Sequence, residues 1–246
     1  MDPKAIHEAL SRRLREILER GSLGPEETFA CPYLPGRSAR RVLVAAPAVP
    51  GLYHALMDAN FRRLGPLFYK PLCDGCAECR MLRVPVADFA PSRSQRRCLS
   101  RNADLSVTIG SPEPTPEKHA LYQRYLDARH DGQMDGSLEE FERFLYASPV
   151  DSAEVVFRLG ERIVAVGIVD REPLAWSAVY CYFEPDLPGR SLGVLNVLTL
   201  VGECRRRGVP HLYLGYYVRE CAAMVYKASF RPCELLSAGG AFERTD

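Results

Sequence analysis

After about residue 150 the apolar residues stop recurring at helical spacing and begin to alternate or run together. This change of period constrains the fold of the chain more than any other feature of it. Residues 153–159 and 162–169 flank Gly160-Glu161 in the pattern of a β-hairpin, and residues 174–183 continue as a third strand. Residues 191–207 return to helical period with Gly208 to close them. Residues 211–216 then read as a strand, 219–229 as a short helix and 233–237 as a last strand. Upstream, Thr115 and Pro116 open a helix with Leu121, Tyr122, Tyr125 and Leu126 as its buried stripe. Ser137-Leu-Glu-Glu140 is a capping-box pattern that opens a second helix, with Phe141, Phe144 and Leu145 inward. Helices followed by a hairpin-rich sheet predict an α+β fold.

The N-terminal half is organised differently. Residues 4–20 form an amphipathic helix with Ile6, Leu10, Leu14, Ile17 and Leu18 on one face, Asp2 and Pro3 at its start and Gly21 at its end. Gly110-Ser-Pro-Glu-Pro-Thr-Pro116 is stiff and extended, and it divides residues 1–110 from residues 111–246. No apolar run reaches the roughly 18–20 residues of a membrane span, so no membrane partner is expected. The N-terminus lacks an apolar signal core and a small-residue cleavage site, and the cysteines number nine. Reduced thiols in a cytoplasmic protein are therefore expected, not a disulfide framework.

Charge singles out one region. The formal net charge of the chain is +1, yet residues 58–101 carry nine Lys/Arg against four Asp/Glu, a net of +5. Residues 201–231 carry six bases and two acids, whereas residues 111–161 carry eleven acids and five bases. Two basic stretches far apart in sequence could converge on one face and meet a polyanion. The first also contains Cys73-x-x-Cys76-x-x-Cys79. Three thiolates at this spacing suit tetrahedral Zn²⁺ or an iron–sulfur cluster, with Cys31 or Cys98 as a fourth ligand. Metal-free thiols packing a small domain are the alternative. Cys181, Cys204, Cys221 and Cys233 fall in core-like elements.

The order helix-helix-strand-strand-strand-helix-strand-helix-strand resembles the acyltransferase fold of the Gcn5-related N-acetyltransferases (GNAT). Pro188-Gly-Arg-Ser-Leu-Gly193 sits where that fold turns from strand to helix and offers backbone N–H groups to an anion. More specific are several blocks in fixed order. They include Cys31-Pro-Tyr-Leu-Pro-Gly-Arg-Ser-Ala39, Leu56-Met-Asp-Ala-Asn-Phe-Arg-Arg63, Tyr69-Lys-Pro71, the cysteine cluster and Arg83-Val-Pro-Val86. Phe89-Ala-Pro-Ser-Arg-Ser-Gln-Arg-Arg97, Arg129-His-Asp-Gly132, Tyr213-Leu-Gly-Tyr-Tyr217 and Phe230-Arg-Pro232 continue the series. Across roughly residues 29–237 the chain resembles the arginyl-tRNA–protein transferase family, in its bacterial branch of aspartate/glutamate leucyltransferases. It departs from the family at Ala223-Met224, where Lys-Met is usual, and in the N-terminal helix, where relatives commonly start strand-like.

The resemblance implies a GNAT-like transferase domain with a smaller N-terminal cysteine-containing subdomain. It also implies transfer of leucine from leucyl-tRNA to the N-terminal Asp or Glu of a protein, which creates a degradation signal of the N-end rule pathway. Aminolysis of an activated ester needs no covalent enzyme intermediate and no cofactor in the transfer itself. It needs position, a neutral amine and donors for the developing oxyanion. Tyr216 and Tyr217 could relay the proton or bind the oxyanion, Lys227 could fix the substrate carboxylate, and His130 is an alternative base. Arg93, Arg96 and Arg97 on one helix face, with Lys70, Arg190 and Arg231, would hold the tRNA acceptor end or the substrate acid. Cys31, Cys73, Cys76 and Cys79 form the preferred metal set, since Cys31 opens the block that aligns with metal-binding cysteines of eukaryotic relatives. No nucleophilic triad is visible. Three alternatives stand beside this reading: arginyl-tRNA as donor, an acetyl-CoA-dependent N-acetyltransferase, and a metal-stapled nucleic-acid-binding adaptor.

Overall fold

The computed structural model describes residues 2–21, 24–129 and 134–246. In chain order the elements are helix α1 (Pro3–Glu19), strands β1 (Glu26–Ala30) and β2 (Ser38–Val44), helix α2 (Leu52–Asp58), and strands β3 (Arg62–Leu64), β4 (Leu67–Pro71) and β5 (Arg80–Pro85). Helix α3 (Arg93–Arg101), strand β6 (Ser106–Gly110) and helices α4 (Pro116–Arg129) and α5 (Leu138–Phe141) follow. Strands β7 (Ser152–Leu159), β8 (Arg162–Glu172) and β9 (Ala175–Phe183) precede helix α6 (Leu192–Arg207), and β10 (His211–Tyr217), β11 (Cys233–Leu236) and β12 (Phe242–Thr245) complete the chain.

The strands form an eight-stranded sheet in the order β12-β11-β5-β10-β9-β8-β7-β6 and a four-stranded sheet in the order β1-β2-β4-β3. Alternate residues of β7 and β8 serve two separate cores. Val155, Phe157, Ala165 and Val169 pack with Leu195, Leu198 and Val201 of α6. Val156, Val166 and Ile168 pack with Leu121 and Tyr122 of α4 and Phe141 of α5. Side chains of a strand alternate between faces, so α6 and the α4–α5 pair cover opposite faces of one sheet. The α+β class is as expected. The large sheet takes strands from both sides of residue 110, because β5 and β6 are built into it.

The hairpin at Gly160 and the α6 stop at Gly208, in left-handed conformation at φ 69°, stand where the period analysis puts them. Residues 219–229 do not form the expected α-helix. Cys221, Met224, Lys227 and Phe230 each donate to the carbonyl three residues back, and a short 3₁₀ turn covers Val225–Ser229. The N-terminal helix does form, over Pro3–Glu19, and packs on α2, with Ile6 and Leu10 lying over Gly51.

The small subdomain is tied to the large sheet by a buried ion pair. Arg63 of β3 donates through Nε to Asp170 of β8 at 2.8 Å, and neither side chain is exposed to solvent. Ser152 adds a hydroxyl bond to the same carboxylate at 2.6 Å, and Arg63 also reaches Gly65 O and Ala147 O. Glu172 accepts from the N–H groups of Gly51 and Tyr53, which satisfies the start of α2 from across the sheet.

A candidate acyl-transfer site at the β9–β10 divergence

Strands β9 and β10 run parallel and pair at Ala175, Trp176 and Ser177 with His211, Leu212 and Tyr213. Beyond that point they part. Gly215, Tyr216 and Tyr217 pair with Leu82, Met81 and Arg80 of β5, while the rest of β9 stays paired with β8. The result is a V-shaped opening between the two strands in the middle of the sheet.

Arg62, adjacent to the structural Arg63, enters this opening. Neighbouring residues of a strand point to opposite faces, so one arginine locks the subdomains together and the other reaches the divergence. Its Nη2 donates to Val179 O at 3.0 Å, and its guanidinium lies 5.6 Å from the Tyr216 ring centroid. Gly215 makes room for it. At φ +76° that residue favours glycine, and a Cβ there would stand 2.7 Å from Arg62 Cζ. Among the described residues Arg62 has no carboxylate partner, although the other arginines entering the protein interior have one. The half-buried phenols of Tyr33 and Tyr69 and the buried ones of Tyr53 and Tyr216 surround it. Burial pushes the Tyr53 phenol up to about 12. Sequence reasoning counted Arg62 only as part of the basic excess. The signal that could have found it is the Arg-Arg pair in a strand facing a glycine flanked by Leu214 and Tyr216.

Tyr216 and Tyr217 face opposite sides. Tyr216 is fully buried with Phe61, Met81 and Tyr213, and its hydroxyl donates to Asn60 O at 2.9 Å. Tyr217 is half-buried against the α6 core. Lys227 is 8% exposed, and its ammonium donates to Tyr216 O at 2.6 Å. Burial, with help from Arg62, lowers the Lys227 amine to about 7. Near neutrality it is therefore divided between charged and neutral forms. Arg231, four residues on, is exposed and donates to Ala228 O at 3.2 Å and to the Asp246 carbonyl. His130 lies outside the described residues.

Helix α3 begins with the full reciprocal cap that its sequence encodes. Gln95 N donates to Ser92 Oγ, and Ser92 N donates to Gln95 Oε1. Gln95 and Cys98 are its buried face, which leaves Arg93, Arg96 and Arg97 exposed on the other. Gln95 Nε2 also donates to Ser229 O at 3.2 Å, so α3 is anchored to the Lys227 turn. On its other flank Asn102 Nδ2 donates to Arg190 O at 2.8 Å, and the start of α6 follows at Leu192 without a side-chain cap. Arg190 itself is engaged. It makes two 2.8 Å bonds to Asp104, one from each terminal nitrogen. Lys70 lies elsewhere, 5.6 Å from the Phe61 ring, and lines a cavity of about 1080 Å³ below α1.

Cys31, Cys73, Cys76 and Cys79 converge where β5 starts, opposite the Tyr216–Tyr217 end of β10, and together border a cavity of about 80 Å³. Leu34 N donates to Cys31 Sγ and Arg40 N to Cys73 Sγ, each at 3.4 Å, which is the support a ligating thiolate receives. Burial, and then the neighbouring sulfurs of Cys73 and Cys31, push the Cys79 thiol up to about 12. No three of these sulfurs lie mutually within 4.8 Å. The donor set suits Zn²⁺ or an iron–sulfur cluster, and ligation would draw the sulfurs together. Cys98 packs instead under α3, with its thiol directed to Arg190 O and Ser191 O.

A mixed sheet that diverges between two parallel strands, with a helix on the crossover between them, is the GNAT-like fold. Two solved structures share the fold. FemX matches with a TM-score of 0.51 at 9% identity, over 95% of this chain and 75% of that one. The C-terminal domain of a putative lysylphosphatidylglycerol synthetase from Agrobacterium fabrum matches with a TM-score of 0.51 at 16% identity, over 83% and 66%. Within that class, sequence comparison is more specific. Residues 29–97 match the arginine-tRNA-protein transferase N terminus and residues 117–237 its C terminus. The aspartate/glutamate leucyltransferase of Gluconacetobacter diazotrophicus is 40% identical over 214 residues, covering 85% of this chain and 82% of that protein. That of Thiobacillus denitrificans is 42% identical over 217 residues, covering 86% and 90%. The chain belongs to the arginine-tRNA-protein transferase family. It is an aminoacyltransferase, which sets aside the acetyl-CoA and adaptor alternatives. No helix among the described residues is long and apolar enough to cross a membrane.

Proposed function

We propose that this enzyme transfers leucine from leucyl-tRNA to proteins whose N-terminal residue is Asp or Glu, marking them for degradation by the N-end rule pathway. The observation that carries the acceptor half of this reading is Arg62, a guanidinium in the sheet divergence with no carboxylate of its own. Its fork fits the side-chain carboxylate of the acceptor residue with two bonds. The donor half rests on the names of the relatives and on the opposite face of the same opening. There the exposed arginines of α3 adjoin the uncapped start of α6, an arrangement that suits phosphates of a tRNA acceptor end. Tyr226, 42% exposed next to Lys227, offers a ring for a terminal base to stack on.

The reaction balances with these groups alone. The acceptor's neutral α-amine attacks the ester carbonyl carbon, and a C–N bond forms as the C–O bond to the ribose breaks. The proton that the amine loses ends on the ribose oxygen. Lys227, neutral in part near pH 7, takes that proton first and returns it to the leaving oxygen. Tyr217, half-buried at the end of β10, donates to the oxyanion of the tetrahedral intermediate. The Tyr216 hydroxyl, committed to Asn60 O, holds the β5–β10 edge in place. The cysteine set would hold Zn²⁺ or a cluster as a clasp outside the transfer chemistry.

Steady-state kinetics of Arg62→Gln on Asp- and Glu-starting peptides tests the acceptor assignment. Loss of a desolvated charge-assisted pair predicts kcat/KM down by roughly two to three orders of magnitude. KM for leucyl-tRNA should be unchanged. An equal rise in KM for leucyl-tRNA, or no loss on the peptides, would contradict it.

A further inference from the structure

Helix α1 precedes the first family-matched segment, which begins at residue 29, and it is thinly attached. None of its residues is fully buried, and its apolar contacts are Ile6 and Leu10 over Gly51 and the partly buried Leu14 and Leu18. At one point, however, it meets α2 through polar groups. His7 Nε2 lies 3.1 Å from Asp58 Oδ2, and His54 Nε2 lies 3.9 Å from the same oxygen. The two imidazoles stack at 3.8 Å with 15° between their planes.

We propose that His7, His54 and Asp58 form a binding site for a transition-metal dication of the Zn²⁺ type, which clasps α1 to α2. One donor atom from each residue lies within 4.8 Å of the other two. Ligands about 2.0–2.1 Å from tetrahedral Zn²⁺ stand about 3.3–3.4 Å apart, a spacing that the two distances to Asp58 bracket. The stacked rings point their lone pairs side by side, so ligation turns the partly exposed His7 ring out of the stack. A second observation is independent of the clustering. His54 is 4% exposed, and its Nε2 has no hydrogen-bond partner, a costly state for a buried polar atom. The Asp58 oxygen it would share the ion with lies 3.9 Å away.

Asp58 is prepared for this role. Its Oδ1 accepts from the Tyr213 hydroxyl and from Arg83 Nη1, which leaves Oδ2 turned to the imidazoles. The Arg83 charge opposes a cation, but Glu234 pairs with Arg83 at 2.6 Å and offsets it. Two nitrogens and one carboxylate oxygen select a borderline-soft ion over Mg²⁺ or Ca²⁺. His7 and Asp58 both line the 1080 Å³ cavity, which gives an ion a way in and leaves a position for water. The site shares no residue with the cysteine set, and it exists only when α1 is docked.

The test titrates the full chain and its His7→Gln variant with Co²⁺. The variant changes a partly exposed position on an outlying helix, and circular dichroism checks its fold. The expected result is one more bound equivalent in the wild type. Its visible spectrum should lack the sulfur-to-metal charge transfer that ions on the cysteines produce. Amide exchange of residues 3–19 should slow at least about tenfold with Zn²⁺ in the wild type and not in His7→Gln. Asp58→Asn should lose the same equivalent. Equal stoichiometry in the wild type and His7→Gln would overturn the proposal, as would exchange in α1 that Zn²⁺ leaves unchanged.

Discussion

Lys227 carries the sharpest consequences at the scale of single residues. Its folded-state pKa is about 7, against about 10.4 for a free lysine. Between those values the unfolded chain binds the extra proton and the folded chain does not, so this residue makes stability rise with pH from about 7 to 10.5 and adds no slope below 7. Urea unfolding of Lys227→Met should lack that rise. As a base, Lys227 should also give the rate a limb near pH 7, distinct from the limb near pH 8 of the acceptor α-amine. The variant should keep the second limb alone and lose roughly 10²-fold in rate. Gly215→Ala is a separate test of the divergence. Its φ of +76° and the 2.7 Å approach to Arg62 predict about 1–3 kcal/mol of destabilisation in urea, with a fall in transfer as Arg62 is displaced.

At the scale of elements, the buried Arg63–Asp170 pair should be needed to dock β3 on β8. Arg63→Met leaves a buried carboxylate unpaired, and urea unfolding should show a loss of about 3–5 kcal/mol, whereas replacing both partners with apolar residues should recover much of it. Helix α3 predicts the opposite pattern. Arg93→Gln, Arg96→Gln and Arg97→Gln should leave stability within about 0.5 kcal/mol. Each should weaken tRNA binding and lower the log–log salt slope by about 0.7–0.9. The elements most legible in the sequence were α4, through its Thr-Pro start, and β7 to β9, α6 and β10, through their apolar runs and closing glycines. The four-stranded sheet was not legible, because its strands are short and β1 is exposed along its whole length. Its mixed charged residues give no alternation to read. The turn at residues 219–229 was misread as α-helix because composition does not encode its tertiary task, which is to bring the Lys227 amine to Tyr216 O.

Across the whole molecule, the basic excess of residues 58–101 was legible as charge but not as a division of labour. Arg63 is structural, Arg62 enters the divergence, and Arg83 is paired with Asp58 and Glu234. Arg96 and Arg101 donate to the carbonyls of Pro91 and Gly189, and Arg93 and Arg97 are exposed on α3. A strand's two-residue period assigns adjacent arginines to different faces, and which face is which depends on a partner strand far away in sequence. Arg190 shows the same limit, since its partner Asp104 comes from the other half of the chain. The clasp proposed for the cysteines belongs to this scale too. It sits where the small subdomain feeds β5 into the large sheet, so removing a bound ion with a chelator should lower Tm while leaving α4 to β9 intact in hydrogen exchange.

The most direct test of the account is transfer itself. Purified protein is mixed with tRNA charged with labelled leucine or, separately, arginine, and with peptides starting in Asp, Glu, Lys or Ala. The account predicts label from leucyl-tRNA on the Asp and Glu peptides alone. Transfer from arginyl-tRNA alone would contradict the donor. Equal labelling of the Lys and Ala peptides would contradict the role given to Arg62, and no transfer from either donor by folded protein would contradict the whole account.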